Sequence, residues 1–159
     1  MWLLVLASCL LGCSRNAPGG ETADELQADH AGAASYNLRR DERLGGHTLR
    51  RHVGKSDDEL RQRLREEPNI SAASTYNDEA TAERVIAATL TQNARRVQTW
   101  QARAGRKPNL ALHYRGSSPI GRSIRQGGSV AESCSDAIVV LQATGEGGFK
   151  VLTTYPEDR

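Results

Sequence analysis

The stretch from Asp136 to Thr144, DAIVVLQAT, contains an unbroken apolar run of mostly β-branched side chains. A short apolar run of this kind predicts a strand buried at the centre of a sheet. The residues Thr144-Gly145-Glu146-Gly147-Gly148 follow it and are typical of a hairpin turn, which leads into a further strand from Phe149 to Tyr155. This part of the sequence therefore predicts an antiparallel hairpin at the centre of the fold.

Weaker strand patterns precede the hairpin and follow Pro108. The pattern has a period of two there, first at Leu110, Leu112 and Tyr114, and less regularly at Ile120, Arg122 and Ile124. Gly116 and the pair Gly127-Gly128 interrupt it. The second half of the chain is therefore predicted to form an antiparallel sheet.

The first half shows helical signals instead. Ser56-Asp57-Asp58-Glu59 is a capping box, which predicts a helix from there to about Glu67, before Pro68. A cap at Asn77 or Asp78 predicts a longer helix to about Ala104, with apolar residues at helical spacing: Ala82, Val85, Ile86, Leu90, Ala94, Val97 and Trp100. The segment from Asp41 to Val53 is typical either of a helix start or of a loop that leads into a short helix. Helices followed by a sheet indicate an α+β class, with N-terminal helices packed on a C-terminal antiparallel β-sheet.

The N-terminus carries a targeting signal. Residues 2–12 are uncharged and mostly apolar, too short to span a bilayer but suited to a signal peptide. They end in Leu10-Leu11-Gly12-Cys13, which resembles a bacterial lipobox and implies cleavage before Cys13, lipidation of its thiol and a membrane-anchored lipoprotein of the envelope. A secreted protein is the other exported form, and a buried N-terminal strand is the competing interpretation of this segment. The predicted organisation is a signal peptide over residues 1–13, a flexible tether over 14–36 and one folded domain over 37–159.

The charge is unevenly divided along the 159 residues. The 21 basic and 19 acidic side chains give a net charge of +2, but the tether carries −3 and residues 37–159 carry +5. Eighteen of the basic residues are Arg, whose planar guanidinium suits phosphate and carboxylate. A total of three cysteines excludes a disulfide-rich secreted scaffold. Cys9 lies in the predicted signal peptide and Cys13 in the lipobox, so Cys134 is the one cysteine of the predicted domain and is interpreted as an inert buried side chain. The folded domain is thus the part suited to a polyanion.

The segment from Gly45 to Lys55, GGHTLRRHVGK, concentrates chemically active side chains. Its two imidazoles titrate near neutrality and are able to move protons, while its two Arg and one Lys are able to hold a phosphate. The competing interpretation is a solvated basic helix face with one His in the core. His47 and His52 are five residues apart, roughly 140° around a helix axis, so we expect at most one of them to point into a given site.

Other chemistries have little support in the sequence. The His and Cys residues lack metal-ligand spacing, and no glycine-rich loop suits a nucleotide, so neither a metal nor a cofactor is expected. Arg50, Arg51, Lys55, Arg122 and Arg125 are candidates for contacts with an RNA backbone.

Several motifs together carry a family resemblance. The segment GGHTLRRHVGK, followed by Arg63-Leu64, by Ala73-Ser74-Thr75-Tyr76 before a long helix, and by Val151-Leu152-Thr153-Thr154-Tyr155-Pro156, resembles the bacterial RNase A-like toxin domain. That domain lies at the tips of contact-dependent inhibition proteins, and the resemblance covers about residues 42 to 156. It implies an α+β fold of the pancreatic ribonuclease type without the vertebrate disulfides. It also implies metal-independent RNA cleavage by attack of the ribose 2′-hydroxyl on the adjacent phosphate.

The resemblance also implies roles for individual residues. His52 is expected to be the general base, Arg63 to stabilise the phosphorane, and the hydroxyls of Thr153 and Tyr155 to bond the phosphate or base and to protonate the leaving oxygen. His47 is the second choice for proton transfer. The sequence thus predicts an exported, monomeric endoribonuclease toxin or effector that acts on RNA, tRNA included, and has a cognate immunity protein. The alternative is a catalytically inactive RNA- or protein-binding lipoprotein with the same fold.

Overall fold

The computed structural model of the chain describes residues 36–145 and 147–158. The predicted signal peptide, the lipobox with Cys13 and residues 14–35 of the tether lie outside the described residues. The helices are α1 (Leu38–Arg43), α2 (Thr48–His52), α3 (Asp57–Glu66), α4 (Glu79–Gln92) and α5 (Ala94–Gln101). The strands are β1 (Ala72–Tyr76), β2 (Leu110–Arg115), β3 (Gly121–Arg125), β4 (Glu132–Cys134), β5 (Asp136–Ala143) and β6 (Phe149–Glu157).

The strands form two antiparallel sheets of three strands each. One sheet has the order β1-β3-β4 and the other has the order β2-β5-β6. The predicted hairpin is confirmed, because β5 is the central strand of the second sheet and pairs with β6. Strand β6 also contacts β1, β3 and the two N-terminal helices, so the two sheets meet along it. The α+β class is confirmed.

The order of elements differs from the prediction at β1. This strand lies between α3 and α4, so the chain does not run from all helices to all strands. Its sequence AASTY has no alternation of large apolar and polar residues, because it is buried on both faces and satisfied by hydrogen bonds. Thr75 Oγ1 accepts a bond from the Lys55 amide and donates to the Tyr76 carbonyl, while the Tyr76 hydroxyl lies 2.6 Å from Thr154 Oγ1.

The prediction of one continuous helix from residue 78 to about residue 104 is wrong, because the structure has two helices there. Asp78 does cap α4, but the helix ends at Gln92 and α5 begins two residues later. Asn93 separates them, with its side-chain amide donating to the Thr89 carbonyl. Such side chain-to-backbone bonds compete with the helical pattern. Ala94, expected on the apolar face, is consequently exposed.

Helix α3 is confirmed with its capping box. Ser56 Oγ accepts from the Glu59 amide, and the Glu59 carboxylate accepts from the Ser56 amide. Leu60 and Leu64 lie one turn apart and pack on Ala73 and Ile124 of the first sheet. Burial of each leucine contributes about 1.5–3 kcal/mol, which fixes the helix against this sheet.

Candidate active site

His52, the last residue of α2, is buried and held in one orientation. The residue is only 6% exposed, and its Nδ1 lies 3.2 Å from the backbone carbonyl oxygen of Ser74 on β1. Because a carbonyl only accepts, Nδ1 must carry the hydrogen. The opposite nitrogen, Nε2, is therefore left with a lone pair, as a proton acceptor requires.

The backbone around α2 is attached to two strands. Val53 bridges to Tyr76 of β1, and the Gly54 amide donates to the Tyr76 carbonyl at 3.3 Å. At the other end of the helix, Thr48 Oγ1 accepts from the Thr154 amide of β6 at 3.0 Å. These bonds place the His52 ring between the two sheets, with its centroid 5.5 Å from that of Tyr155.

Arg63 supplies a cation with unused donors. It lies on α3 next to the apolar face formed by Leu60 and Leu64, so its side chain is directed inward and is only 19% exposed. Its Nε and Nη1 atoms are buried and make no hydrogen bond. Nε lies 3.4 Å from Glu67 Oε1, an ion-pair distance, and the same carboxylate oxygen lies 3.1 Å from Arg51 Nη1. Buried guanidinium nitrogens without partners are the kind of group that an incoming anion satisfies.

Burial and neighbouring cations lower the pKa of both imidazoles. Desolvation and, after it, the nearby Arg63 charge lower the pKa of His52 to about 3, while the hydrogen bond with the Ser74 carbonyl partly opposes the shift. Desolvation also lowers the pKa of His47, with added effects from the charges of Arg50 and Arg51. Arg63 contributes to both shifts, so both rings lie within range of one guanidinium.

The helical angle used to separate the two imidazoles does not apply to the structure, and the expectation that at most one of them points into the site stays a prediction. His47 precedes the first helical residue of α2 as its N-cap, so the angular spacing of a helix does not apply to it. Its backbone amide instead donates to the Leu152 carbonyl of β6 at 3.0 Å. His47 is thus attached beside the strand that carries Thr153 and Tyr155.

A β-bulge in β6 decides which of its side chains face this site. The pairing with β5 shifts between Val140 and Leu141, so that Val140 pairs with Thr153 while Leu141 pairs with Val151. An extra residue reverses the alternation of faces beyond it. Thr154 is therefore directed into the core, where its hydroxyl donates to the Ile138 carbonyl, and its neighbour Thr153 lies on the opposite face.

Thr153 and Tyr155 share the face that contains the His52 ring. Thr153 Oγ1 is buried and makes no hydrogen bond. The pKa of the Tyr155 hydroxyl is raised by burial and by the Glu157 carboxylate, so the hydroxyl keeps its proton near neutrality. The structure thus brings a neutral imidazole, a guanidinium whose Nε and Nη1 make no hydrogen bond and two protonated hydroxyls to the region where α2, α3 and β6 lie.

The predicted RNA-contacting cations divide into two groups. Arg50, Arg51 and Lys55 line a groove of about 240 Å³ together with Arg63. Each is ion-paired, with Arg50 bonded to Glu42, Arg51 to Glu67 and Lys55 to Glu59. Arg122 is not in this groove. Its Nε donates to Asp57 at 2.6 Å and its Nη2 to the Lys55 carbonyl at 2.8 Å, which ties β3 to the start of α3.

Sequence reasoning did not identify two groups of the site. Glu67 joins Arg51 to Arg63, and its position four residues after Arg63 on a helix is a spacing that could have indicated the pair. Ser74 acts through its backbone carbonyl, and no side-chain pattern marks such a group.

Three further observations concern the described residues alone. No group of three or more His, Cys, Asp or Glu side chains lies close enough in residues 36–145 and 147–158 to hold a metal ion. In the same part of the chain, no helix has the length and apolar content needed to cross a bilayer. Cys134 is buried, and burial raises the pKa of its thiol, as expected for an unreactive side chain.

The chain belongs to the bacterial CdiA-CT RNase A domain family, whose sequence model matches residues 46–156. It is also similar to the chain in the crystal structure of a CdiA-CT/CdiI complex from Y. kristensenii 33638. The two are 30% identical with a TM-score of 0.64, over 71% of this chain and the whole of that one. Comparison with curated protein sequences finds no match.

Proposed function

We propose that the folded domain is a metal-independent endoribonuclease that cleaves RNA by transphosphorylation. The observation that carries the proposal is the convergence of buried donors without partners on a neutral imidazole. Arg63 Nε and Nη1 and Thr153 Oγ1 make no hydrogen bond in the free protein. The charge of Arg63 acts on the His52 ring, and Thr153 shares a strand face with Tyr155, whose ring centroid lies 5.5 Å from that of His52. Donors left open in this way suit a transition state that accumulates negative charge.

The first step is the attack of the 2′-oxygen on phosphorus. His52 Nε2 accepts the proton of the 2′-hydroxyl, while the Ser74 carbonyl holds the ring by its Nδ1 hydrogen. The new oxygen–phosphorus bond makes a phosphorane, and Arg63 and Thr153 donate to its non-bridging oxygens. The guanidinium thus supplies the positive charge that another nuclease would take from a metal ion.

The second step is the departure of the 5′-oxygen. Its bond to phosphorus breaks, and it takes a proton from the Tyr155 hydroxyl. His47 is the second candidate donor, in the protonated form that a bound phosphate favours. The products are a 2′,3′-cyclic phosphate and a 5′-hydroxyl; the proton on His52 then returns to solvent, and the Tyr155 phenolate takes up a proton from solvent. A bound phosphodiester offsets the charge of Arg63, so we expect it to raise the pKa of His52 from about 3 toward the range of a working base.

The substrate groove is proposed to contain Arg50, Arg51 and Lys55 beside Arg63. Their ion pairs to Glu42, Glu67 and Glu59 are at least partly exposed, so an RNA phosphate is able to displace the carboxylates at little energetic expense. Arg122 is proposed to contact the RNA backbone through the remaining part of its guanidinium while it stays bonded to Asp57.

The decisive test is cleavage in the presence of EDTA. The purified protein is incubated with RNA and EDTA, beside His52→Ala protein purified in parallel as the control for contaminating nucleases. We expect fragments with 2′,3′-cyclic phosphate ends from the wild type and intact RNA from the variant. Intact RNA in both samples overturns the enzyme and favours a silent RNA-binding protein. Activity that requires an added divalent cation overturns the mechanism.

Export and an immunity partner belong to the same proposal. The similar chain from Y. kristensenii 33638 is in complex with CdiI, and we propose that this chain likewise has a cognate inhibitor in the cell that makes it. We also propose delivery outside that cell, with lipidation at Cys13. Metabolic labelling with a palmitate analogue tests the anchor, since Cys13→Ser protein should lose the label. Co-purification of a protein that abolishes the EDTA-resistant cleavage tests the inhibitor.

A further inference from the structure

One long part of the sequence contains basic residues but no acidic residue. Between Glu83 and Glu132 there is no Asp or Glu, whereas nine basic residues occur there. The preceding residues of the folded domain, by contrast, mix the two signs closely. This distribution places the strongest concentration of uncompensated charge outside the catalytic groove.

The structure gathers five of these cations on α5 and the loop that follows it. They are Arg95, Arg96, Arg103, Arg106 and Lys107, and the four arginines are exposed. None of the five side chains makes a hydrogen bond or ion pair within residues 36–145 and 147–158. The cations of the catalytic groove are all ion-paired, whereas a polyanion meets these five neighbouring cations without displacing a carboxylate.

Their placement is unfavourable for the stability of α5 itself. Arg95 and Arg96 lie in the first turn, where the helix dipole favours acidic side chains, and α5 has none there. The side chain of the N-cap residue, Asn93, makes no capping bond. The helix dipole therefore disfavours these two cations. Together with the N-terminal end of α5, however, they form a surface that is suited to phosphate.

A groove of about 460 Å³ runs along this surface, which we call the α5 groove. Arg95, Arg96, Thr99, Arg103 and Asn109 contribute polar side chains to it. Its one aromatic, Trp100, is 3% exposed and donates Nε1 to the Pro108 carbonyl, so it offers no face on which a base could stack. The groove is therefore suited to the sugar-phosphate backbone rather than to bases.

The α5 groove is connected to the catalytic site through β6. Trp100 packs edge-on against Phe149 at the start of that strand, with ring centroids 6.4 Å apart, and Gln101 donates to the Gly147 carbonyl. Thr153 lies four residues further along the strand, about 13 Å at the usual rise of a strand. Strand β6 thus links the α5 groove to the proposed catalytic side chains, and only an RNA chain with more than one phosphate is able to contact both places at once.

We propose that the α5 groove is a second RNA-binding surface, which binds the backbone of a long substrate at a distance from the scissile phosphate. This inference rests on the proposed ribonuclease function. The surface contributes affinity through phosphate contacts and contributes nothing to the chemical step. A dinucleoside monophosphate has one phosphate, which the catalytic groove takes, so it gains nothing from α5.

The test compares Arg95→Gln/Arg103→Gln with Arg43→Gln/Arg65→Gln in the full chain. Both pairs remove two exposed arginines that make no ion pair within the described residues, so net charge changes equally. Binding of a tRNA-sized RNA is measured against salt concentration in a His52→Ala background, and cleavage of uridylyl-adenosine is measured with His52 intact. For the α5 pair we expect roughly tenfold weaker RNA binding, a salt slope smaller by about 1.5 to 2, and unchanged cleavage of the dinucleotide.

The possible failures are distinguishable. Absence of dinucleotide cleavage by the wild type overturns the proposed function, while the binding data still decide the role of the α5 groove. Equal losses of RNA affinity in both double variants overturn the role proposed for the α5 groove, because only the overall charge of the protein would then matter. Unchanged RNA binding in the α5 pair also overturns it, and selective loss of binding to vesicles that contain phosphatidylserine would then assign the surface to a membrane.

Discussion

His52 Nδ1 donates its hydrogen to the backbone carbonyl oxygen of Ser74, with 3.2 Å between the nitrogen and the oxygen, so a strand backbone sets the tautomer of the candidate base. The same environment removes the ring from water and places it near Arg63, which lowers its pKa to about 3.

The first prediction concerns stability against pH. The pKa of His52 is lower in the folded protein than the value of about 6.5 in the unfolded chain, so the unfolded state takes up a proton first as pH falls. The stabilising effect of the neutral ring is complete above about pH 6.5 and is lost progressively toward pH 3. Between pH 7 and pH 5 we expect His52 to account for a fall of about 2 kcal/mol in the free energy of unfolding. Urea unfolding of wild type and His52→Gln at both pH values measures it, and parallel pH dependences would contradict it.

The second prediction concerns Arg63. Arg63→Gln removes the donors aimed at the phosphorane and the charge that lowers the pKa of His52. We expect kcat to fall about 10²- to 10³-fold and the acidic limb of the pH profile of kcat/KM to move to higher pH. An NMR titration of His52 should show the same direction. A loss of activity with an unmoved His52 titration would place the guanidinium away from the base.

The third prediction uses two neighbouring threonines. Thr153→Val removes a hydroxyl without a partner, so we expect little change in the free energy of unfolding and a clear fall in kcat. Thr154→Val removes the bonds to Tyr76 and to the Ile138 carbonyl, so we expect a loss of about 1–3 kcal/mol in stability. Denaturant curves and initial rates of the two variants give the comparison. Similar destabilisation in both would show that Thr153 has a structural partner.

The fourth prediction concerns the capping box that holds α3. Ser56→Ala leaves the Glu59 amide without its acceptor, and we expect a loss of about 1 kcal/mol in the free energy of unfolding. Ser56→Asp supplies another acceptor and should restore most of it. Chemical denaturation checks both variants, and an unaffected alanine variant would mean that tertiary packing alone fixes the helix start.

The sequence was sufficient for elements whose signals are local. The apolar run of β5, its glycine-rich turn into β6 and the capping box of α3 each depend on a few adjacent residues. Strand β1 lacked such a signal, because Ser74 and Thr75 are buried through bonds to residues distant in sequence. The division of the strands into two sheets depends likewise on pairing between distant segments.

The site was predictable in its residue types more than in its geometry. Composition indicated an imidazole among cations, and the family resemblance selected His52, Arg63, Thr153 and Tyr155. Their assembly depends on the Ser74 carbonyl and on the Glu67 carboxylate that joins Arg51 to Arg63. A backbone acceptor has no signature in a side-chain pattern, and the helical spacing of Glu67 becomes informative only once Arg63 is known to be buried.

The irregular pairing of β6 decides which of its faces meets the site. Because Leu152 is the surplus residue, its deletion would remove the bulge and leave Thr153, Thr154 and Tyr155 on their present faces. If Leu152 instead took a regular place in the pairing, Thr153 and Tyr155 would turn toward the interior and Thr154 away from it. A single surplus position in the backbone thus separates a chain with a composed reaction centre from one that has the same components facing the wrong way.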